Sequence, residues 1–303
     1  MDPADFYTGI VADLYGPLKS SSQDPEPYAD FIRQAGVPAL ELGCGDGDPL
    51  LELRRRGLDV EGVDSSEDML ERLRRRAAEQ GIGATVFHQR MEALSLPRRY
   101  RAIFLAGPTF TLLPDDDAAL AALRAIRAHL AEGGTALVPL FTPAPTPADQ
   151  IGQVRTAVAP DGAELRFSIV AEQRDETART QTTLLRYERH HGSDSSVVER
   201  PWILHWYTRD QFEKLATTAD LTVTTVTDPD GKPVSADATG LLHFRLQVSC
   251  PPPLSVVCDA TSTERVRALA AQLGDLDVLV NAAGGLPEPV SGDPSTLEAQ
   301  LAQ

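Results

Sequence analysis

"ELGCGDGDP", residues 41–49, places three glycines within five positions and surrounds them with acids. The loop follows a short apolar run, "VPALEL" (37–42), and precedes "PLLELRRRG" (49–57), which has helical spacing. A second apolar run, "LDVEGVD" (58–64), ends in Asp64. This order of strand, glycine loop, helix, strand and acid is typical of a mononucleotide-binding unit. Its glycines let the backbone approach a ligand closely, and its acid can accept hydrogen bonds from ribose hydroxyls.

Two features of the loop favour a cationic ligand over a pyrophosphate. The dinucleotide fingerprint is G-x-G-x-x-G, whereas Gly47, the third glycine, comes one residue early. The loop also carries the acids Glu41, Asp46 and Asp48, and the first cation that follows is Arg54. Acids disfavour a phosphate but suit a ligand with ammonium and sulfonium charges. Asp46 either faces the ammonium end of such a ligand or caps the following helix.

Strands and helices alternate from the loop to residue 141. A helix is predicted over 65–81, with Ser66 as its N-cap, and another over 115–134. The apolar runs "ATVFHQ", "RAIFLAG" and "TALVPLF" predict three further strands. This alternation predicts an α/β fold with a mostly parallel sheet covered by helices on both faces.

The pattern changes after a proline-rich connector at 142–149. Residues 144–207 predict an antiparallel β insertion, and "LTVTTVTDPDG" with "GLLHFRLQVSC" predicts a closing antiparallel hairpin. Three consecutive prolines in "CPPPLS" (250–255) indicate a boundary. We therefore divide the chain into a domain at 1–249 and a tail at 250–303.

The glycine loop resembles motif I of the class I S-adenosylmethionine (SAM)-dependent methyltransferases, E-x-G-x-G-x-G, and "VDSSEDML" resembles the second motif of that family. The resemblance covers about residues 1–249. Within the family, the chain is similar to the small-molecule branch, which includes sugar-amine N-methyltransferases with a β insertion. It implies a Rossmann-like sheet and transfer of a methyl group from SAM to N or O of a small-molecule acceptor. An amino sugar or another secondary-metabolite intermediate is the expected acceptor.

The resemblance also implies which residues bind SAM. Glu41 would favour the ammonium group, and Asp64 would hold the ribose. Met91, within "QRMEAL" (89–94) at the adenine edge, would pack on the adenine ring. The stretch "AGPTFTLL" (106–113) would present the reactive methyl, with Thr109 and Phe110 facing the acceptor. Many relatives have an acid where this chain has Arg90, so Glu92 is the candidate for the contact to the adenine amine. The full predicted set is Glu41, Gly43, Cys44, Gly45, Asp64, Ser65, Met69, Arg90, Met91, Glu92 and Ala106.

Four aromatic or histidine residues are expected near the mouth of the site, namely Tyr7, Tyr15, His205 and Tyr207. Of these, the candidate catalytic residues are His205, Tyr207 and Tyr15. Methyl transfer from a sulfonium mainly requires alignment and exclusion of water. An amine acceptor needs only to be neutral, whereas a hydroxyl benefits from a general base. His205 is the best base candidate, because "WILHWYT" leads back toward the core, although ordinary packing is an alternative for all three. No metal site is predicted, since adjacent histidines at 190–191 would point to opposite faces of a strand.

The tail segment "LSVVCDATSTERVRALAAQLGDLDVLVNAAGG" (254–285) resembles the middle of a short-chain dehydrogenase/reductase. That family's T-G-x-x-x-G-x-G cofactor loop is absent from the segment, and its Y-x-x-x-K pair is excluded because no lysine follows Lys232. We interpret the tail as an incomplete fragment of that family. The alternatives to a methyltransferase are an NAD(P)-dependent reductase, which the tail suggests, and a non-catalytic SAM-binding module.

Composition narrows the choice of partners. A net charge of −16 and a pI of about 4.8 disfavour nucleic acid and anionic membranes. Three cysteines provide no disulfide framework, and no apolar run approaches the ~18 residues of a membrane helix. We expect a cytoplasmic protein whose partner is a small-molecule methyl acceptor, and a homodimer is one possibility.

Overall fold

The computed structural model describes residues 5–18, 22–159, 161–235 and 238–249. All of them lie in Met1–Ser249, the first of two units into which the chain divides. The dehydrogenase-like fragment predicted at 254–285 lies outside the described residues. Within the described ranges, no helix is both long enough and apolar enough to cross a membrane.

Helices and strands follow one another in the order α1 (Ile10–Leu18), α2 (Glu26–Ala35), β1 (Ala39–Leu42), α3 (Leu50–Arg55), β2 (Val60–Asp64), α4 (Glu67–Gln80), β3 (Val86–His88), β4 (Tyr100–Phe104), α5 (Asp116–His129), β5 (Leu130–Leu140), β6 (Val154–Val158), β7 (Glu164–Asp175), β8 (Thr180–His191), β9 (Asp194–His205), α6 (Arg209–Thr218), β10 (Leu221–Thr227) and β11 (Leu242–Val248). Short 3-10 turns follow β3 at Met91–Ala93 and β4 at Thr109–Leu112.

The larger sheet has seven strands in the order β10-β11-β5-β4-β1-β2-β3. Strands β1 to β5 pair in parallel, and β11 pairs antiparallel with both β5 and β10. This arrangement confirms the predicted Rossmann-like methyltransferase sheet with its closing hairpin. The carboxyl ends of β1, β2 and β4 therefore lie at one edge, beside the strand-order reversal where α/β proteins bind ligands.

Hydrophobic residues fill both sides of this sheet. One cluster includes residues of α5 and α6, such as Leu123, Ile126 and Phe212. The other includes residues of α2, α3 and α4, such as Phe31, Leu53 and Leu73. Because helices cover both faces, all four residues of β1 are buried, which explains its continuous apolar pattern apart from Glu41.

Two helix predictions have different outcomes. Ser66 caps α4 as predicted, because its side chain accepts a hydrogen bond from the backbone N–H of Met69. The helix predicted over 115–134 ends at His129, and β5 begins at Leu130. Strand pairing overrides the helical spacing there, since Leu130 is in register with Tyr100 of β4.

The predicted antiparallel insertion is a separate four-stranded sheet in the order β6-β7-β8-β9. Its strands lie between residues 154 and 205, inside the predicted range. The N-terminal segment packs on one face of this sheet, in a cluster formed by Phe6, Val11, Leu14, Ala163, Leu165, Leu185 and Tyr187. The segment that contains α1 thus joins the insertion, a contact between parts distant in sequence.

Candidate functional site

The glycine loop lies between β1 and α3 and adopts left-handed backbone conformations. The φ angles of Gly43, Gly45 and Gly47 are +73°, +52° and +95°. The backbone N–H of Gly43 donates to the carbonyl oxygen of Val63 at 2.8 Å, which ties the loop to β2. A Cβ atom built on Gly43 would lie 2.6 Å from Thr109 Cγ2. Glycine is therefore required at position 43 both for its φ and for the close approach of Thr109.

Asp64, the last residue of β2, holds the loop with its side chain. Its Oδ2 accepts the backbone N–H of Gly45 at 2.7 Å, and its Oδ1 accepts that of Ser66 at 2.8 Å. Burial raises the pKa of the Asp64 carboxyl above its usual range, although these two amides act in the opposite direction. Each carboxylate oxygen has a second lone pair, so Asp64 keeps the capacity to accept ligand hydroxyls.

A cleft opens at the carboxyl ends of β1, β2 and β4. It contains about 850 Å³ of empty space when its open mouth is included. The predicted residues that line the cleft are Tyr15, Gly43, Gly45, Asp64, Ser65, Met69, Arg90, Met91 and Glu92. The structure therefore brings together most of the predicted cofactor residues, with Arg90 Nε lying 2.6 Å from Glu92 Oε1.

Three predicted cofactor residues lie outside this lining. Glu41 is fully buried within β1. The Cys44 side chain is in the core, where its Sγ would lie 2.7 Å from a Cβ built on Gly62. Ala106 follows β4 and packs, partly buried, against the same cluster. Their roles as cofactor contacts stay predictions.

The predicted catalytic pair of His205 and Tyr207 forms a buried cluster away from the cleft lining. The Tyr207 hydroxyl lies 2.8 Å from His205 Nδ1. His205 Nε2 lies 3.7 Å from Asp116 Oδ1, and Arg179 makes two hydrogen bonds to the Asp116 carboxylate. Burial, followed by the charge of Arg179, lowers the pKa of His205. Tyr207 also packs against Phe110, whose ring centroid is 6.0 Å away.

Several cleft residues fall outside the predicted set. Gln89 follows β3, and Thr109, Leu112, Leu113 and Pro114 follow β4. Thr109, Leu112 and Leu113 belong to the stretch 106–113 that the resemblance placed beside the reactive methyl, and Gln89 begins the stretch 89–94 expected at the adenine edge. Tyr7 also lines the cleft and packs edge-on against Tyr15, with ring centroids 5.6 Å apart. Tyr7 was expected near the mouth of the site, and it lines the cleft.

Carboxylates dominate the electrostatics beside the loop. Burial, and then the charges of Asp46, Asp48, Asp64 and Glu41, raise the pKa of Tyr15 to about 12. A negative site of this kind fits a cationic ligand. Asp46 does not cap α3, whose N-cap is Pro49, and its Oδ2 lies 2.7 Å from Arg76 on α4. Its contact to the ammonium end of the ligand stays a prediction.

The residues in the cleft fit the chemistry of SAM. Asp64 matches the ribose hydroxyls, the side chains of Met69 and Met91 provide apolar surface for adenine, and the carboxylates match the sulfonium and ammonium charges. Together with the sheet order, these features define the protein class as a class I methyltransferase architecture with a SAM-type cleft.

Comparison with known proteins agrees with this class. Residues 39–134 match the family described as a methyltransferase domain. A curated relative, the dTDP-3-amino-3,6-dideoxy-alpha-D-glucopyranose N,N-dimethyltransferase of Streptomyces fradiae, is 28% identical over 236 residues, which are 73% of this chain and 87% of the relative.

Two solved structures share the fold. A SAM-dependent methyltransferase from Clostridium acetobutylicum has a TM-score of 0.62 at 17% identity and covers 79% of this chain and 98% of its own. The sugar N-methyltransferase KedS8 from Streptoalloteichus has a TM-score of 0.61 at 20% identity and covers 78% of this chain and 93% of its own. The protein is a SAM-dependent methyltransferase, and SAM is its cofactor.

Proposed function

We propose that the protein transfers the SAM methyl group to an amine of a small molecule, and that this acceptor is an amino sugar of secondary metabolism. The observation that carries the proposal is the extent of the similarity to the Streptomyces fradiae enzyme, whose substrate is an amino sugar. It spans 236 residues, whereas the methyltransferase domain covers only 39–134. The similarity therefore extends into regions outside the cofactor-binding domain.

The chain's own residues define the two sides of the site. Asp64 accepts the ribose hydroxyls, Met69 and Met91 enclose the adenine, and the buried charge of Glu41 favours the ammonium group. Glu92, paired with Arg90, is the candidate for the adenine amine. Bound SAM would supply a methyl group on a sulfonium, and the sulfur that leaves becomes a neutral thioether that needs no protonation.

The acceptor occupies the side of the cleft formed by Tyr7, Tyr15 and the turn after β4. Burial raises the pKa of both tyrosines, to about 12 for Tyr15, so both keep their protons at neutral pH. They act as hydrogen-bond donors and as walls that exclude water, and the amine reacts in its neutral form. A general-base role for His205 and Tyr207 stays a prediction. Only a hydroxyl acceptor would require such a base.

Calorimetry and an acceptor assay test the proposal. The full chain is titrated with SAM, S-adenosylhomocysteine and NADPH, and we expect binding of the first two. It is then incubated with SAM and either dTDP-3-amino-3,6-dideoxyglucose or its 3-hydroxy counterpart, and the products are analysed by mass spectrometry. We expect one or two added methyl groups on the amino sugar alone.

The other outcomes separate the alternatives. NADPH binding without a SAM signal supports the reductase. SAM binding without methylation of an amine-bearing sugar contradicts the proposed acceptor class and favours the non-catalytic module. Methylation of the hydroxyl sugar alone would show that the acceptor atom is oxygen. It would then favour the predicted general-base role of His205.

A further inference from the structure

Tyr28 on α2 contacts the chain directly after β4. Its hydroxyl oxygen accepts a hydrogen bond from the backbone N–H of Gly107 at 3.1 Å. Its ring stacks on Phe104, the last residue of β4, with centroids 5.4 Å apart and planes at 26°. The side chain is buried, with 5% of its surface exposed. Tyr28 therefore fixes both the end of β4 and the first bend of the segment that follows.

Gly107 determines where the next residues lie. Its φ of +81° is a left-handed bend, and its carbonyl oxygen accepts the backbone N–H of Thr109 at 2.9 Å. Thr109 lines the cleft and packs against the glycine loop, because its Cγ2 occupies the space where a Cβ of Gly43 would be. A displacement of Gly107 would thus reach the cleft through Thr109.

We infer that Tyr28 is a positioning residue for methyl transfer, whose hydroxyl holds the turn at 107–114 in register with the glycine loop. The inference rests on the proposed binding of SAM in this cleft. Tyr28 is not among the residues that line the cleft, so it acts through Gly107 rather than on SAM or the acceptor. Burial is the main cause that raises the pKa of Tyr28, to about 12, so the hydroxyl stays neutral.

Tyr100 provides a matched control at the opposite end of β4. It is fully buried, and its hydroxyl donates to Glu61 Oε2 at 2.5 Å. Tyr28→Phe and Tyr100→Phe each remove one buried hydroxyl and keep the ring. Only the first change lies on the path to the cleft.

The test compares kcat and KM of wild-type protein and both variants with SAM and dTDP-3-amino-3,6-dideoxyglucose, together with thermal unfolding. Small misplacements of reacting groups cost up to about 100-fold in rate, so we expect kcat of Tyr28→Phe to fall roughly 10- to 100-fold. The KM for SAM should change less than about threefold, because loss confined to the transition state appears in kcat. Tyr100→Phe should keep a wild-type kcat at a similar change in Tm. Equal kcat values in the two variants overturn the inference.

Hydrogen–deuterium exchange of the wild-type protein tests the contact without an acceptor or a variant. The Gly107 amide should exchange slowly, and exchange as fast as in exposed loops overturns the inference. Failure of the wild-type protein to bind SAM refutes the proposed function instead. The exchange result then still decides whether Tyr28 holds the turn.

Discussion

At the residue scale, the site depends on a few atoms of the glycine loop and of Asp64. The Asp64 carboxylate accepts two backbone N–H groups, one on each oxygen, while it is 9% exposed. Gly43 provides both a left-handed bend and the space for Thr109. Loss of either feature would change the loop itself as well as any contact to SAM.

Asp64→Asn should weaken SAM binding by about tenfold or more, because an amide nitrogen cannot accept the N–H of Gly45 or Ser66 and a buried donor is left unpaired. Isothermal titration measures the Kd. Asp59→Asn is the control, since Asp59 directly precedes β2 but is half-exposed and pairs with Arg98. An unchanged Kd in Asp64→Asn would contradict the ribose assignment.

Gly43→Ala should both destabilise the protein and weaken SAM binding, since its Cβ would meet Thr109 at 2.6 Å in a left-handed conformation. Gly57→Ala is the matched control, because Gly57 has a φ of +80° but no atom near its missing Cβ. The strain alone costs about 1–2 kcal/mol. Chemical denaturation should show the larger loss for Gly43→Ala, and only that variant should lose SAM affinity. Equal losses in the two variants would show that crowding is unimportant.

At the element scale, the start of α4 connects the cofactor loop to the N-terminal segment. Ser66 Oγ accepts the N–H of Met69 and donates to the carbonyl oxygen of Tyr7. The backbone N–H of Gly9 donates to Asp68 on the first turn of α4. The cap of α4 therefore also holds the segment that brings Tyr7 into the cleft.

Ser66→Ala should lower the free energy of unfolding by about 1 kcal/mol, as for loss of an ordinary cap, and should also weaken SAM binding. Thr208→Ala removes the capping box of α6, which is outside the cofactor cleft. It should cost about the same stability with SAM affinity unchanged. Equal SAM affinities in the two variants would show that the hydrogen bond from Ser66 to the Tyr7 carbonyl oxygen does not contribute to SAM binding.

At the scale of the whole molecule, two buried histidines lie in different parts of the fold, His205 at the end of the insertion and His243 on β11 of the larger sheet. His205 at the end of β9 faces Tyr207, Arg179 and the acids at 115–116, and burial lowers its pKa. His243 on β11 also has a lowered pKa, because of burial, with Asp228 and Arg245 nearby. Both histidines stay neutral in the folded protein at pH values where the unfolded chain begins to bind protons.

This difference gives stability a defined pH dependence. The unfolded histidines bind protons below about pH 6.5, whereas the folded ones require lower pH, so the free energy of unfolding should fall as pH decreases through 6.5. The slope is at most about 1.4 kcal/mol per pH unit for each group. Denaturation from pH 7.5 to 5.5 should show a shallower decline in the His205→Gln, His243→Gln double variant. An unchanged slope in the double variant would refute the assignment.

The order of elements and the composition of the loop could be predicted from local patterns. The glycine spacing, the acids and Asp64 indicated SAM, and the alternation of strands and helices indicated the sheet. The boundary at His129 could not be predicted, because Leu130 becomes a strand residue only through pairing with β4. The pairing of Asp46 with Arg76 could not be predicted either, since it joins residues 30 positions apart.

The sequence by itself determined the fold class, the cofactor chemistry and the presence of an antiparallel insertion, because each depends on short-range periodicity or on residues within one βαβ unit. Only the tertiary structure decided how the side chains around the cleft pack against one another. It packed Tyr7 edge-on against Tyr15 and Thr109 against Gly43, and it kept His205 and Tyr207 out of the cleft lining. Those positions depend on packing between helices and strands that are distant in the chain. The spacing of residues within one element carries no information about that packing.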